Sequence, residues 1–214
     1  MIKAFLFDLD GVLTDTSEFH YQAWKQLARE LGLPFTRKDN EALRGVSRRE
    51  SLELLLKGQA VTEPQAQQYM ERKNSHYLNL VNRMSPANLL PGAKEILQEL
   101  ARIGLKRGIV SSSKNTSLVI ERLQIGSLVD GVVDGNAPVR SKPFPDLFLL
   151  GAKCFDLPSS ECLVVEDAAA GVEAAHAAGM KAVGLGPKER VGMAEWVLAS
   201  LEGHSAAEIL QALA

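Results

Sequence analysis

Two aspartates stand two residues apart in Phe7-Asp8-Leu9-Asp10-Gly11, directly after the apolar run Ala4-Phe5-Leu6-Phe7. The run reads as a buried strand, and side chains at i and i+2 of a strand share a face. Two like charges so close repel one another and resist desolvation, so a cation or a retained proton must offset them. Three more polar clusters follow comparable apolar runs or precede a helix. "GIVSSSKN" carries Ser111, Ser112, Ser113, Lys114 and Asn115, "RSKPFPD" carries Lys142, and "LVVEDAAAG" carries Glu166 and Asp167. If they converge, the acids Asp8, Asp10, Glu166 and Asp167 suit a hard cation such as Mg²⁺, which binds through one or two carboxylates plus a phosphate. Serine hydroxyls, Lys114 and a helix N-terminus near residues 113–116 suit the phosphate.

Convergence depends on the elements that carry these residues. The segments 4–7, 105–110, 128–133, 162–165 and 182–185 are short runs rich in Val, Ile, Leu or Phe with little alternation, as strands covered on both faces read. Helical patterns over 92–103, 114–123, 145–155 and 168–178 separate them, with Gly104 and Gly179 as stops and Pro91 and Pro145 near starts. This alternation predicts an α/β fold, a Rossmann-like parallel sheet whose ligands sit at the carboxyl ends of the strands. Residues 17–84 break the rhythm. They offer no convincing strand and several helices, including 17–31 and 62–82, and connector-like residues flank them in "LTDTSEF" and "RMSPANLLPG". The predicted organisation is a catalytic core of 1–15 and 86–214 with a small all-helical cap, 16–85, inserted after the first strand.

Composition narrows the function classes. With 214 residues, 46% hydrophobic and 23% charged, the chain has room for one good core and a smaller module. A formal net charge of -2 provides no basic field for nucleic acid or an anionic membrane surface. No apolar stretch approaches the roughly 20 residues a spanning helix needs, and the N-terminal run is too short for a signal segment. Cys154 and Cys162, with no CxxC pairing, read as two reduced, buried thiols in a cytoplasmic protein. The chain is expected to work as a monomer on small molecules.

Asp8-Leu9-Asp10-Gly11-Val12, Ser111 to Asn115, Lys142-Pro143 and Glu166-Asp167, in this order, resemble the haloacid dehalogenase superfamily of phosphoryl-transfer enzymes. The resemblance implies that Asp8 is the nucleophile and forms an aspartyl phosphate, and that Asp10 is general acid and base. It also implies that Mg²⁺ lies among Asp8, Asp10, Glu166 and Asp167, with Ser111 and Lys142 balancing charge at Asp8. The interval "TDTSEFHYQAWKQLA", "LRGVSRRESLELLL" and "ERKNSHY" is similar to the small helical cap of the superfamily's phosphosugar mutases. By that similarity Arg48 holds the distal phosphate, Gly45 and Val46 line the sugar, and His20, Trp24 and Lys73 are closure contacts, while Ser113, Lys114 and Asn115 belong to the core phosphate site. The expected reaction interconverts β-glucose 1-phosphate and glucose 6-phosphate, primed by glucose 1,6-bisphosphate. The alternative is a Mg²⁺-dependent sugar-phosphate phosphatase, and a non-catalytic phosphosugar sensor stands outside both.

Plainer roles compete for several of these residues. Asp8 and Asp10 could form a turn pair with Gly11, and Glu166-Asp167 could cap the following helix. On the helical wheel of 17–31, His20 falls with Phe19, Ala23, Trp24, Leu27 and Leu31, which fits a core histidine as well as one that reaches Asp10. Arg44, Arg48 and Arg49 could be a solvated face, and the doubled arginine leaves open which one enters the site. Arg140 has no assignable role.

Overall fold

A computed structural model describes residues 1–213. Six strands, β1 (Ala4–Phe7), β2 (Lys106–Val110), β3 (Gly131–Val133), β4 (Cys162–Glu166), β5 (Lys181–Leu185) and β6 (Trp196–Leu198), form one sheet in the order β3-β2-β1-β4-β5-β6. Every pairing is parallel. The chain winds outward from β1 to β3, then returns to lay β4 beside β1, so the direction of winding reverses at the β1–β4 boundary. Such a switch point opens a crevice at the carboxyl ends of the strands. All four β1 residues are buried, with Phe5 and Phe7 in one core cluster and Ala4 and Leu6 in the other.

Helices cover both faces: α5 (Ala93–Arg102), α6 (Thr116–Leu123), α7 (Asp146–Cys154), α8 (Ala169–Ala177), α9 (Lys188–Val191) and α10 (Ala206–Ala212). Gly104 and Gly179, at φ of 76° and 74°, end α5 and α8 in the left-handed region that glycine tolerates best. Helix α6 begins at Thr116, two residues later than its pattern suggests, because the Thr116 hydroxyl donates to the Ser113 carbonyl and the Ser113 hydroxyl accepts from Asn115 N–H. Strand β3 is shorter than the apolar run 128–133, whose first residue lies in a 3₁₀ turn. Strand β6 is an addition to the expected set. Of the two cysteines only Cys162 is buried; Cys154, at the end of α7, is exposed.

Between Phe7 and Lys106 the described residues contain no strand of the sheet. Helices α1 (Thr16–Glu30), α2 (Arg37–Glu41), α3 (Arg48–Leu56) and α4 (Glu63–Val81) occupy that interval before α5 begins. Capping boxes start α2, α3 and α4 at Thr36, Ser47 and Thr62, satisfying first-turn donors locally. Tyr21, Trp24, Leu27, Phe35, Leu52 and Leu55 give this segment a hydrophobic cluster of its own. Its two connectors lie side by side: Leu90 N–H donates to the Leu13 carbonyl at 2.9 Å, and the Thr14 hydroxyl to Asn88 at 2.7 Å. The entry and exit of the helical segment are thus tied at one place.

Candidate active site

Asp8 ends the β1 segment, and its buried carboxylate is fixed from two directions. Lys142 Nζ donates to Oδ1 at 2.5 Å, and Asp10 N–H donates to Oδ2 at 2.8 Å. The same ammonium donates to Glu166 Oε1 at 2.6 Å and to the Val110 carbonyl at 2.9 Å, so β1, β2 and β4 all converge on it. Burial works against the charge on Lys142, but Asp8 and Glu166 together hold its pKa above the ordinary lysine value. Asp10 accepts from the Thr16 hydroxyl and, at 3.4 Å, from the Ser111 hydroxyl. Burial and the neighbouring Asp8 push Asp10 up to about 6.

Ser111 therefore faces Asp10, where Asp8 was expected. Glu166 also differs from its expected role as a metal ligand. Its Oε1 is taken by Lys142, and its Oε2 accepts the N–H groups of Asp167 and Ala168 at 2.8 and 2.9 Å. Consecutive residues at a strand end point to opposite sides, so Glu166 backs Lys142 while Asp167 turns to the crevice. Burial and then Glu166 raise the Asp167 pKa well above the carboxylate range, against the pull of Arg44, whose Nη1 lies 2.5 Å from its Oδ2.

Asp8, Asp10 and Asp167 line one cavity with Ser111, Ser113, Lys114, Gly45, Val46, Arg48, His20, Trp24 and Lys73. Lys142 and Glu166 sit behind its wall. Asn115, expected among the phosphate ligands, does not line it; its amide donates to Asn74 of α4 at 2.9 Å. The cavity holds about 70 Å³, small against the roughly 300–1,000 Å³ of ordinary ligand sites.

The wall from the helical segment is basic. Lys73, 1% exposed, has its Nζ 2.7 Å from His20 Nδ1 and over the rings of Trp24 and Tyr77 at 5.1 and 4.8 Å. Burial and then Arg48 depress its pKa well below the lysine value. Burial, Lys73 and Arg48 likewise keep His20 neutral, and its Nε2 stands 3.7 Å from Asp10 Oδ1, short of a hydrogen bond. Arg48 is depressed by burial with no carboxylate opposing the shift. The neighbouring Arg49 is spent outside, on Glu53 at 2.7 Å and Glu63 at 2.6 Å. Arg140 pairs with Asp146 at 2.9 Å over the Phe144 ring, away from this cavity.

Sequence reasoning missed three participants. Thr16 lies in "LTDTSEF", whose residues read as a connector. Arg44 and Arg190 reach Asp167 only through the folded arrangement, although Arg44 precedes Gly45 directly.

The donor set fits a divalent cation. Two carboxylates, Asp8 and Asp167, face the crevice, and hard oxygen ligands in that number plus a substrate phosphate are what Mg²⁺ takes. The turn after Asp10 is shaped around this acid. Gly11 has φ +93°, and a Cβ there would lie 2.2 Å from Asp167 Oδ2, so no other residue lets the backbone come so close. Among the described residues, no three His, Cys, Asp or Glu side chains gather at ligating spacing, with Glu166 drawn to Lys142 and Asp167 to Arg44.

Residues 2–179 match the model of the haloacid dehalogenase-like hydrolases. The chain is 43% identical over 189 residues to β-phosphoglucomutase of Bacillus subtilis, covering 86% of this chain and 84% of that protein. It is 26% identical over 184 residues to a phosphorylated carbohydrates phosphatase of Thermotoga maritima, covering 85% and 84%. The crystal structure of β-phosphoglucomutase from Clostridium difficile superposes with a TM-score of 0.95 at 35% identity, covering 99% of this chain and 97% of that one.

Proposed function

The chain belongs to the haloacid dehalogenase-like hydrolase family, and from that premise we propose that it is a β-phosphoglucomutase, interconverting β-D-glucose 1-phosphate and D-glucose 6-phosphate. The observation that carries this reading is one cavity with Asp8 and Asp10 on one wall and Arg48 and Lys73 on the other. A mutase needs an anion site opposite its nucleophile, because the substrate's second phosphate must be held while the first is transferred; a phosphatase does not.

In this reading residues 1–15 and 86–214 form the catalytic core, and 16–85 form a cap. Asp8 attacks phosphorus and carries the phosphoryl group as an aspartyl phosphate. Its carboxylate is already ordered by Lys142 and by the Asp10 amide, so little reorientation precedes attack. Asp10 moves the proton of the sugar hydroxyl, steadied by Thr16 and Ser111. The donor at priming is glucose 1,6-bisphosphate, which is also the intermediate that turns end for end between the two transfers. Arg48 grips the phosphate that is not reacting, with a planar fork suited to it. The carboxylates of Asp8 and Asp167 and the backbone carbonyl of Asp10 would hold Mg²⁺, which would supply charge neutralisation for the transferring phosphoryl oxygens. Cap closure keeps water from the aspartyl phosphate.

Phosphorus NMR of the protein with β-glucose 1-phosphate, Mg²⁺ and a trace of glucose 1,6-bisphosphate tests the reading. Glucose 6-phosphate should accumulate. Predominant inorganic phosphate would favour the phosphatase alternative, the activity named for the Thermotoga relative.

A further inference from the structure

Arg44 lies in the loop between α2 and α3, and its guanidinium crosses the crevice to Asp167, on the far side. The contact is one edge of a closed ring. Arg44 Nε is 3.3 Å from Glu41 Oε2, and Glu41 Oε2 is 3.6 Å from Arg190 Nη1. Arg190, on α9, completes the ring by donating from Nε to the Asp167 carbonyl at 2.6 Å, with Nη2 3.9 Å from its carboxylate. Two members of the ring come from the helical segment and two from the sheet domain. The backbone beside Arg44 is seated in the same way: Gly45 O accepts from the Ser112 hydroxyl at 2.7 Å, and a Cβ at Gly45 would lie 3.1 Å from the Ala168 Cβ.

Asp167 is also the member of the acidic pair that faces the crevice. The guanidinium lies 2.5 Å from Asp167 Oδ2, and its positive charge there weakens the attraction of this carboxylate for a divalent cation. We propose that Arg44 is a built-in competitor for the metal: its charge on Asp167 opposes Mg²⁺, and metal entry weakens the Arg44–Asp167 contact. The ring then acts as a latch, and metal binding and cap opening are linked. By thermodynamic reciprocity, whatever factor the latch subtracts from metal affinity, the metal subtracts from closure.

This inference rests on the metal site of the proposed function, and the experiment separates the two. Mg²⁺ binding is measured by isothermal titration calorimetry on the whole chain without sugar phosphate, for the parent and for Arg44→Gln, Arg44→Lys and Arg49→Gln. Small-angle scattering with and without Mg²⁺ reports cap opening. Removing the competing charge in Arg44→Gln should tighten Mg²⁺ binding by about tenfold or more, within the usual span of coupling factors. The same variant should be open before metal is added. Arg44→Lys should remain near the parent, and Arg49→Gln, whose arginine binds only Glu53 and Glu63, should not differ from it. Equal Mg²⁺ affinity in the parent and Arg44→Gln would overturn the latch and leave the metal site standing. No Mg²⁺ binding by either would overturn both.

Discussion

Lys142 and Lys73 are buried lysines on opposite walls of the same crevice, and their surroundings could hardly differ more. Lys142 has three oxygen acceptors within 2.9 Å, two of them carboxylates, and keeps its proton firmly. Lys73 has one imidazole nitrogen and two aromatic faces, and burial pulls its pKa down. Arg48 beside it is equally short of acid. The sheet wall is complete in itself, a fixed arrangement that positions Asp8. Among the described residues no carboxylate pairs with Lys73 or Arg48, and only Asp10 across the crevice favours the charge on Lys73, which is costly unless a ligand brings an anion. One side is organised for a reaction and the other for a guest.

The largest effect should come from breaking the complete wall. Asp8→Asn retains an acceptor for Lys142 but lacks an oxygen able to bond phosphorus, so turnover should fall by about 10⁴-fold or more with the circular dichroism spectrum unchanged. Turnover within about tenfold of the parent would remove Asp8 from the nucleophile role. Next comes the guest side. Arg48→Ala should cost about 2–5 kcal/mol of binding to the non-reacting phosphate, or roughly 30- to 4,000-fold in mutase kcat/KM. Arg49→Ala, which loses only exposed pairs, should cost less than about 1 kcal/mol.

Lys73→Met sharpens the contrast through stability. Because the folded-state pKa of Lys73 lies below its ordinary 10.5, the charged form burdens the fold at neutral pH. Replacing it with an apolar side chain should raise Tm by about 2–8 °C while lowering activity. The sign fixes the pH dependence. Parent stability rises relative to the variant as pH climbs toward 10.5, where the unfolded chain also loses this proton, so the gain should shrink in alkaline solution. A lower Tm for the variant at pH 7 would mean that Lys73 is better satisfied than its neighbours suggest. The smallest effect concerns the cysteines, where burial acts again. Burial, then Glu161, pushes the Cys162 thiol up to about 11, while Cys154 is exposed. Iodoacetamide at pH 8 should label Cys154 and spare Cys162 until the chain unfolds. Equal labelling would contradict the buried environment.

Much of this arrangement could be read from the chain itself. Strands β1, β2, β4 and β5 are apolar runs because both faces are covered, and the polar residues that end them mark the crevice. Strand β6 was illegible because three residues on the far edge of the sheet, two of them only partly buried, leave almost no pattern. The choice between Arg48 and Arg49 was closer to reach than it first looks. Ser47-Arg48-Arg49-Glu50 is a capping box, which sets Arg48 and Arg49 at the first two helical positions, about 100° apart around the axis. They must face different ways, although which way depends on the packing of α3. The split of Glu166 and Asp167 follows similarly from strand alternation. Arg44 could not be read at all, since its partner lies 123 residues away across the crevice.

The measurement that reaches the central claim most directly separates the two half-reactions in Arg48→Ala. Acetyl phosphate brings no second phosphate, so phosphorylation of Asp8 by this donor, trapped by acid quench, should proceed at close to the parental rate, and the aspartyl phosphate should hydrolyse as in the parent. Mutase turnover on β-glucose 1-phosphate should collapse in the same preparation. If both activities fall together, Arg48 serves the chemistry at Asp8 and the two walls are not divided as described. If mutase turnover survives, the cap does not hold the second phosphate through Arg48, and the claim fails on its other side.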